Sequence, residues 1–164
     1  MFIIRITEHI LVNTTKGAAI GIKGTDDVEI SDGFINVQST DAPATGIIAK
    51  TGLFGEDSKL TVTSENSAAA GIMVLQNGPD GTYIVSDSDV SVTGNTDAKV
   101  YGIYAEGKFS MMDESSITVE NKGTGEAHGV YSKGSGAVNV NGSTITVTNN
   151  GASIAYGIYS ESSG

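Results

Sequence analysis

The side chains that most often carry chemistry are few in this 164-residue chain and badly spaced for it. There are two histidines, His9 and His128, 119 positions apart, and no cysteine. A His- or Cys-based metal site needs three or four such ligands converging on one point, so neither a metal nor a cofactor is predicted. No Ser-His-Asp grouping is suggested by neighbouring residues. Carboxylates are more plentiful: Asp87, Asp89 and Asp97 lie in one segment, and Asp113, Glu114 and Glu120 in the next. Asp87-Ser88-Asp89 with Asp80 supplies oxygen donors for a weak Ca²⁺ site but lacks a glycine-rich calcium-loop pattern. Clustered carboxylates are what polysaccharide hydrolysis requires, and a lyase adds Arg or Lys beside them. The single arginine is Arg5, at one extreme of the chain. The expectation is a non-catalytic protein, with a carbohydrate-active enzyme as the alternative.

Whatever these residues do, a repeat positions them. A small-x-Gly-aliphatic pattern recurs at Gly21, Gly46, Gly71, Gly102, Gly129 and Gly157, with spacings of 25, 25, 31, 27 and 28. The first apolar residue of an alternating run recurs at Ile10, Ile35, Leu60, Val90, Ile117 and Ile145, with spacings of 25, 25, 30, 27 and 28. Two anchors that keep step through six copies define a structural repeat. Leu60-Thr61-Val62-Thr63 and Ile145-Thr146-Val147-Thr148 alternate with the period of a half-buried strand. A third apolar element precedes each alternating run: Val28/Ile30, Leu53, Tyr83/Val85, Phe109/Met111 or Ser110/Met112, and Val138/Val140.

Three short strands per copy predict a right-handed parallel β-helix, an all-β solenoid of about six coils of 25–31 residues. It forms one domain over 1–164 and reads as a piece of a longer repeat protein. Coils rise by about 4.8 Å, so like residues stack in columns. Ile22, Ile47, Ile72, Ile103, Val130 and Ile158 form one core column, and Val12, Val37, Val62, Val92, Val119 and Val147 another. Asn121 and Asn149 fit a corner ladder that bonds one coil to another. The glycine column marks either a collision with a Cβ or a positive φ.

Outward columns are the candidate binding surfaces. With the core Ile pointing in, alternation turns the next residue out: Lys23, Ile48, Met73, Tyr104, Tyr131 and Tyr159. Tyr104, Tyr131 and Tyr159 then make an aromatic strip with about 5 Å between rings, suited to sugar faces or apolar partners, or simply to stacking on itself. His128 stands in the place held by Tyr101 and Tyr156 and reads as a member of a Tyr-His-Tyr ladder. Outward hydroxyls such as Thr61/Thr63, Ser91/Thr93 and Thr146/Thr148 resemble an ice-binding lattice, which Gln38 and Glu120 interrupt. The longest connection, with Asn77 and Asp80 in a cluster of turn residues, predicts a protruding loop.

The chain has 9 Lys+Arg against 19 Asp+Glu and a net charge of -10, which disfavours nucleic acid and anionic membranes. No apolar run is long enough to span a bilayer as a helix. The units Val-Tyr-Gly-Ile-Tyr-Ala and Ala-Tyr-Gly-Ile-Tyr-Ser, alternating with Ser-x-Ile-Thr-Val-x-Asn, resemble passenger-domain repeats of bacterial autotransporters and related surface adhesins. The resemblance runs from about Ile10 to Ser160. It implies an extracellular or cell-surface β-helix, usually free of cysteine, with glycans or host and cell-surface proteins as partners. The polar tail Ser160-Glu161-Ser162-Ser163-Gly164 is too poor in apolar residues to cover a solenoid core. The expectation is therefore either end-to-end self-association, growing with salt as the negative charge is screened, or a need for the neighbouring coils of a longer solenoid.

Overall fold

The computed structural model describes residues 4–6, 8–76 and 81–161. They form eighteen strands, numbered along the chain, and no helix. The first sheet contains β1 (Ile4–Ile6), β4 (Asp27–Ser31), β7 (Thr51–Gly55), β10 (Tyr83–Ser86), β13 (Phe109–Met112) and β16 (Val138–Val140). The second contains β2 (His9–Thr14), β5 (Phe34–Ser39), β8 (Lys59–Ser64), β11 (Asp89–Gly94), β14 (Ser116–Asn121) and β17 (Thr144–Asn149). The third contains β3 (Ala19–Lys23), β6 (Ala44–Ala49), β9 (Ala69–Val74), β12 (Val100–Ala105), β15 (Ala127–Ser132) and β18 (Ala155–Ser160). Each strand pairs in parallel with the strand three further along, so the chain winds as a parallel β-solenoid with three strands per coil.

Register explains the repeat. Ile10, Ile35, Leu60, Val90, Ile117 and Ile145 are successive partners in the second sheet, and so are the six valines two residues on. In the middle coils these columns are fully buried, together with Ile47, Ile72, Ile103 and Val130 of the third sheet. Their burial is what drives the fold, because the outward faces are largely hydroxyls, amides and charges. The end coils are less covered: Ile10, Val12, Val138, Ile145 and Val147 are only partly buried.

The first-sheet core differs in one coil from the sequence reading. Leu53 pairs with Glu29 and Ile84 and points away from the core, and Phe54 takes the inward place between Ile30 and Val85. The other inward residue there is Gly52, at φ 138°, partnered by Val28 and Tyr83. A Cβ on Gly52 would lie 2.0 Å from the Val28 carbonyl oxygen, so that coil has no second apolar side chain to reveal its phase. Of the two readings for β13, Phe109/Met111 is the inward pair, in register with Tyr83 and Val85.

Two corners are specified by polar columns. Two residues before β5, β8, β11, β14 and β17 the backbone is left-handed, at Asp32 (φ 54°), Asp57 (61°), Asp87 (48°), Glu114 (60°) and Gly142 (61°). Buried serines follow: Ser58 Oγ donates to the Gly55 carbonyl at 2.5 Å, and Ser115 Oγ to that of Met112 at 2.6 Å. At the opposite corner Asn121 Nδ2 donates to Thr96 O at 3.2 Å and to Gly125 O at 2.9 Å, and its Oδ1 accepts from the Gly123 amide at 3.0 Å. Asn149 Nδ2 repeats the contact to Gly125 O at 2.9 Å, so each asparagine ties its coil to the preceding one.

Candidate functional site: an aromatic array beside an apolar hollow

The glycine column creates the most distinctive surface. A Cβ on Gly102 would stand 2.5 Å from the carbonyl oxygen of Gly129 and 2.5 Å from Ile117 Cγ2, and the φ of Gly102 is not left-handed. Of the two explanations for this column, collision is therefore the correct one. Because the glycine sits so close to the core, two consecutive residues, Gly102 and Ile103, are buried, and alternation breaks. Tyr101 and Tyr104, three positions apart, consequently lie on the same outward face.

The same break in three successive coils merges two columns into one array. Tyr104 stacks on Tyr131 at 5.4 Å between ring centroids, and Tyr131 on Tyr159 at 5.4 Å, which is the predicted strip. Tyr101 stacks on His128 at 5.3 Å, and His128 on Tyr156 at 4.9 Å, which is the predicted Tyr-His-Tyr ladder. The columns meet edge-on at Tyr101 with Tyr104, 5.4 Å, and at His128 with Tyr131, 5.1 Å, and at a tilt at Tyr156 with Tyr159, 4.8 Å. Offset stacks along the columns and edge-to-face contacts between them are the two geometries that the ring quadrupole favours.

Packing on both sides closes the middle of the array. Tyr131 is 5% exposed and His128 1%. Ring faces along each column are covered by their neighbours, so the faces left open belong to the terminal rings. At one terminus Tyr101 and Tyr104 adjoin the coil where the same columns hold Ala70 and Met73. The drop from tyrosine to alanine and methionine leaves a hollow of about 200 Å³, walled by Tyr101 and Tyr104 and lined by Met73, Ala70, Ala68 and Pro43. This hollow escaped the sequence reading, although the change from Ala70/Met73 to Tyr101/Tyr104 in two adjoining columns is its signal.

Charges flank the array. Lys99 Nζ lies 2.8 Å from Glu126 Oε2 and 5.7 Å from the Tyr131 ring centre. His128 Nε2 donates to the same Glu126 oxygen at 3.1 Å, leaving a buried Nδ1 without a hydrogen-bond partner. Burial holds the His128 imidazole below its ordinary pKa despite the Glu126 carboxylate, and the hydrogen bond from Lys99 pulls Glu126 below the usual carboxylate range, with His128 adding to it. Burial raises the Tyr101 and Tyr131 phenols, and a hydrogen bond with Glu161 raises Tyr131 further, so both stay protonated at neutral pH. Tyr104 Oη donates to Glu106 Oε1 at 3.4 Å.

The remaining candidates are scattered. Asn77 and Asp80 lie outside the described residues. Asp87 and Asp89 share a shallow recess with Asp57, Lys59 and Glu114 at one corner. Asp97 accepts a hydrogen bond from Thr124 near the opposite corner. Glu120 accepts from Asn150 Nδ2 at 3.0 Å on the second sheet. Among the described residues no group of three or more His, Cys, Asp or Glu could hold a metal ion. The outward hydroxyl columns of the second sheet are in register, and Gln38 and Glu120 interrupt one of them. Among the described residues no helix is long and apolar enough to cross a membrane. Comparison with known proteins leaves the geometry to stand alone: no family model, no curated protein and no solved structure matches the chain.

Proposed function

We propose that this chain is a non-catalytic β-solenoid of the extracellular adhesin and autotransporter-passenger kind, whose aromatic array binds neutral glycans at the hollow beside Tyr101 and Tyr104. The observation that carries the reading is the pair of free ring faces opening onto a 200 Å³ apolar hollow on a rigid sheet. A pyranose presents one apolar C–H face, which packs on an aromatic ring, and a rim of hydroxyls that need acceptors. Glu106 stands within hydrogen-bonding distance of Tyr104 and is suited to accept from such hydroxyls. A net charge of -10, with Glu106, Glu126 and Glu161 around the array, favours neutral over acidic polysaccharides.

The test is isothermal titration against neutral and acidic oligosaccharides, with release of reducing ends followed in the same samples. Ala70→Tyr extends the Tyr101 column by one ring and fills the hollow. Binding of neutral glycans by the wild type, lost in Ala70→Tyr with the fold intact, is the expected result. Release of reducing ends would establish the carbohydrate-active alternative, and absence of binding to every glycan would overturn the proposal.

A further inference from the structure

The outward face of the third sheet continues past the hollow. The Leu75, Glu106 and Lys133 amides donate to the Ala49, Val74 and Ala105 carbonyls, so these three residues carry the coil-to-coil register beyond the strand ends. They form the next outward column, two residues beyond Met73, Tyr104 and Tyr131. Two residues of extended chain cover about 6.6 Å, a step on the scale of one sugar unit.

A second recess, of about 240 Å³, opens at this column and is lined by Gln76, Glu106, Lys133 and Gly134. A Cβ on Gly134 would lie 2.0 Å from the Glu106 carbonyl oxygen, so the chain there packs directly on the strand and adds no side chain to the recess. Glu106 joins the two spaces, because its Oε1 accepts from Tyr104, a wall of the hollow.

The two spaces differ in chemistry. The hollow is walled by rings and small apolar side chains, whereas the recess brings together a carboxylate, an ammonium and a primary amide. Among the described residues no carboxylate lies within ion-pair distance of Lys133. A charged sugar substituent placed here would meet one like charge whichever sign it carried. An acetamido group satisfies both side chains without a charge: its N–H donates to a carboxylate, and its carbonyl accepts from an ammonium or an amide N–H.

We infer that the site takes a neutral oligosaccharide with an N-acetylhexosamine in this recess, next to the pyranose in the hollow. The inference rests on the glycan reading of the hollow and adds the identity of the second unit. Gln76, Glu106 and Lys133 then set specificity, and the ring faces of Tyr101 and Tyr104 supply the apolar contact.

Isothermal titration with N,N′-diacetylchitobiose and cellobiose tests this, because the two disaccharides share a skeleton and differ in acetamido against hydroxyl groups. The wild type should bind the acetylated disaccharide at least about tenfold more tightly. The double variant Lys133→Met, Gln76→Leu should bring the two affinities to within about twofold of each other. Both side chains are exposed, so its melting temperature should match the wild type. Lys133→Arg, which keeps a cationic donor, should retain the preference in part. Equal affinities in the wild type, or a preference that the double variant leaves intact, overturns the inference and leaves the reading of the hollow standing. A wild type that binds neither disaccharide overturns it too, and the wider glycan series then decides the reading of the hollow by itself.

Discussion

The third sheet presents two different surfaces on one continuous backbone. Its inward residues are alike from end to end, with Ile47 and Ile72 in the lower coils and Ile103 and Val130 in the upper ones, all fully buried. Its outward residues change abruptly. The lower coils carry Thr45, Ile48, Ala70 and Met73, and the upper ones carry Tyr101, Tyr104, His128, Tyr131, Tyr156 and Tyr159. A solenoid repeats its inward columns because each coil packs only on its neighbours, whereas the outward columns answer to no such rule. Function is therefore expected where an outward column changes, and the hollow lies at that change.

Comparing inward with outward positions predicts the largest effect. Ile103→Asp places an unpaired charge in a stack shared by neighbouring coils, and it should cost more than about 4 kcal/mol or prevent folding, read by denaturant titration. Next comes the contrast between the two halves. Tyr131→Ala removes a buried ring that contacts Tyr101, Tyr104, His128 and Tyr159, and should cost about 2–4 kcal/mol. Ile48→Ala, one of the half-buried outward residues of the lower coils, should cost about 1 kcal/mol. Equal costs would mean that the array adds nothing beyond area.

A smaller effect concerns pH. His128 titrates below its unfolded value, so the unfolded state binds more protons between the two values and stability falls as pH drops through about 6.5 and below. Glu126, held low by Lys99 and then His128, loses its contribution in the same direction at lower pH still. His128→Tyr continues the tyrosine column and removes the titrating imidazole. Its melting temperature should therefore fall less between pH 7 and pH 5 than that of the wild type. The smallest effect belongs to Thr118→Asp, exposed on the second sheet, which should stay within about 0.5 kcal/mol of the wild type. A loss comparable to that of Ile103→Asp would break the division between inward and outward columns.

Period, strand count and most inward columns were legible in the sequence because stacking forces like residues to recur at coil spacing. Leu53 shows where this fails. With Gly52 inward, its coil has a single apolar side chain at the usual places, and the run Leu53-Phe54 offers two phases with equal claim. The array was half legible. Both aromatic columns are visible as ladders, but strict alternation would place Tyr101 and Tyr104 on opposite sides of the sheet. Only the close approach of Gly102 to the next coil, a distance and not a composition, brings them together. The hollow has no motif of its own, because it is the space left by small residues beside large ones.

The ring stack also divides the molecule optically. The chain has six tyrosines and no tryptophan, and five of the tyrosines stand in the array, within the three upper coils. Tyrosine emission and near-ultraviolet dichroism are therefore weighted toward that half, whereas the amide signal near 218 nm weighs every coil alike. In a molecule held together by nearest-neighbour contacts, the two halves are free to melt at different temperatures. Recording both signals in one thermal scan distinguishes a rod that melts as a unit from one that unzips from an end, with no label attached.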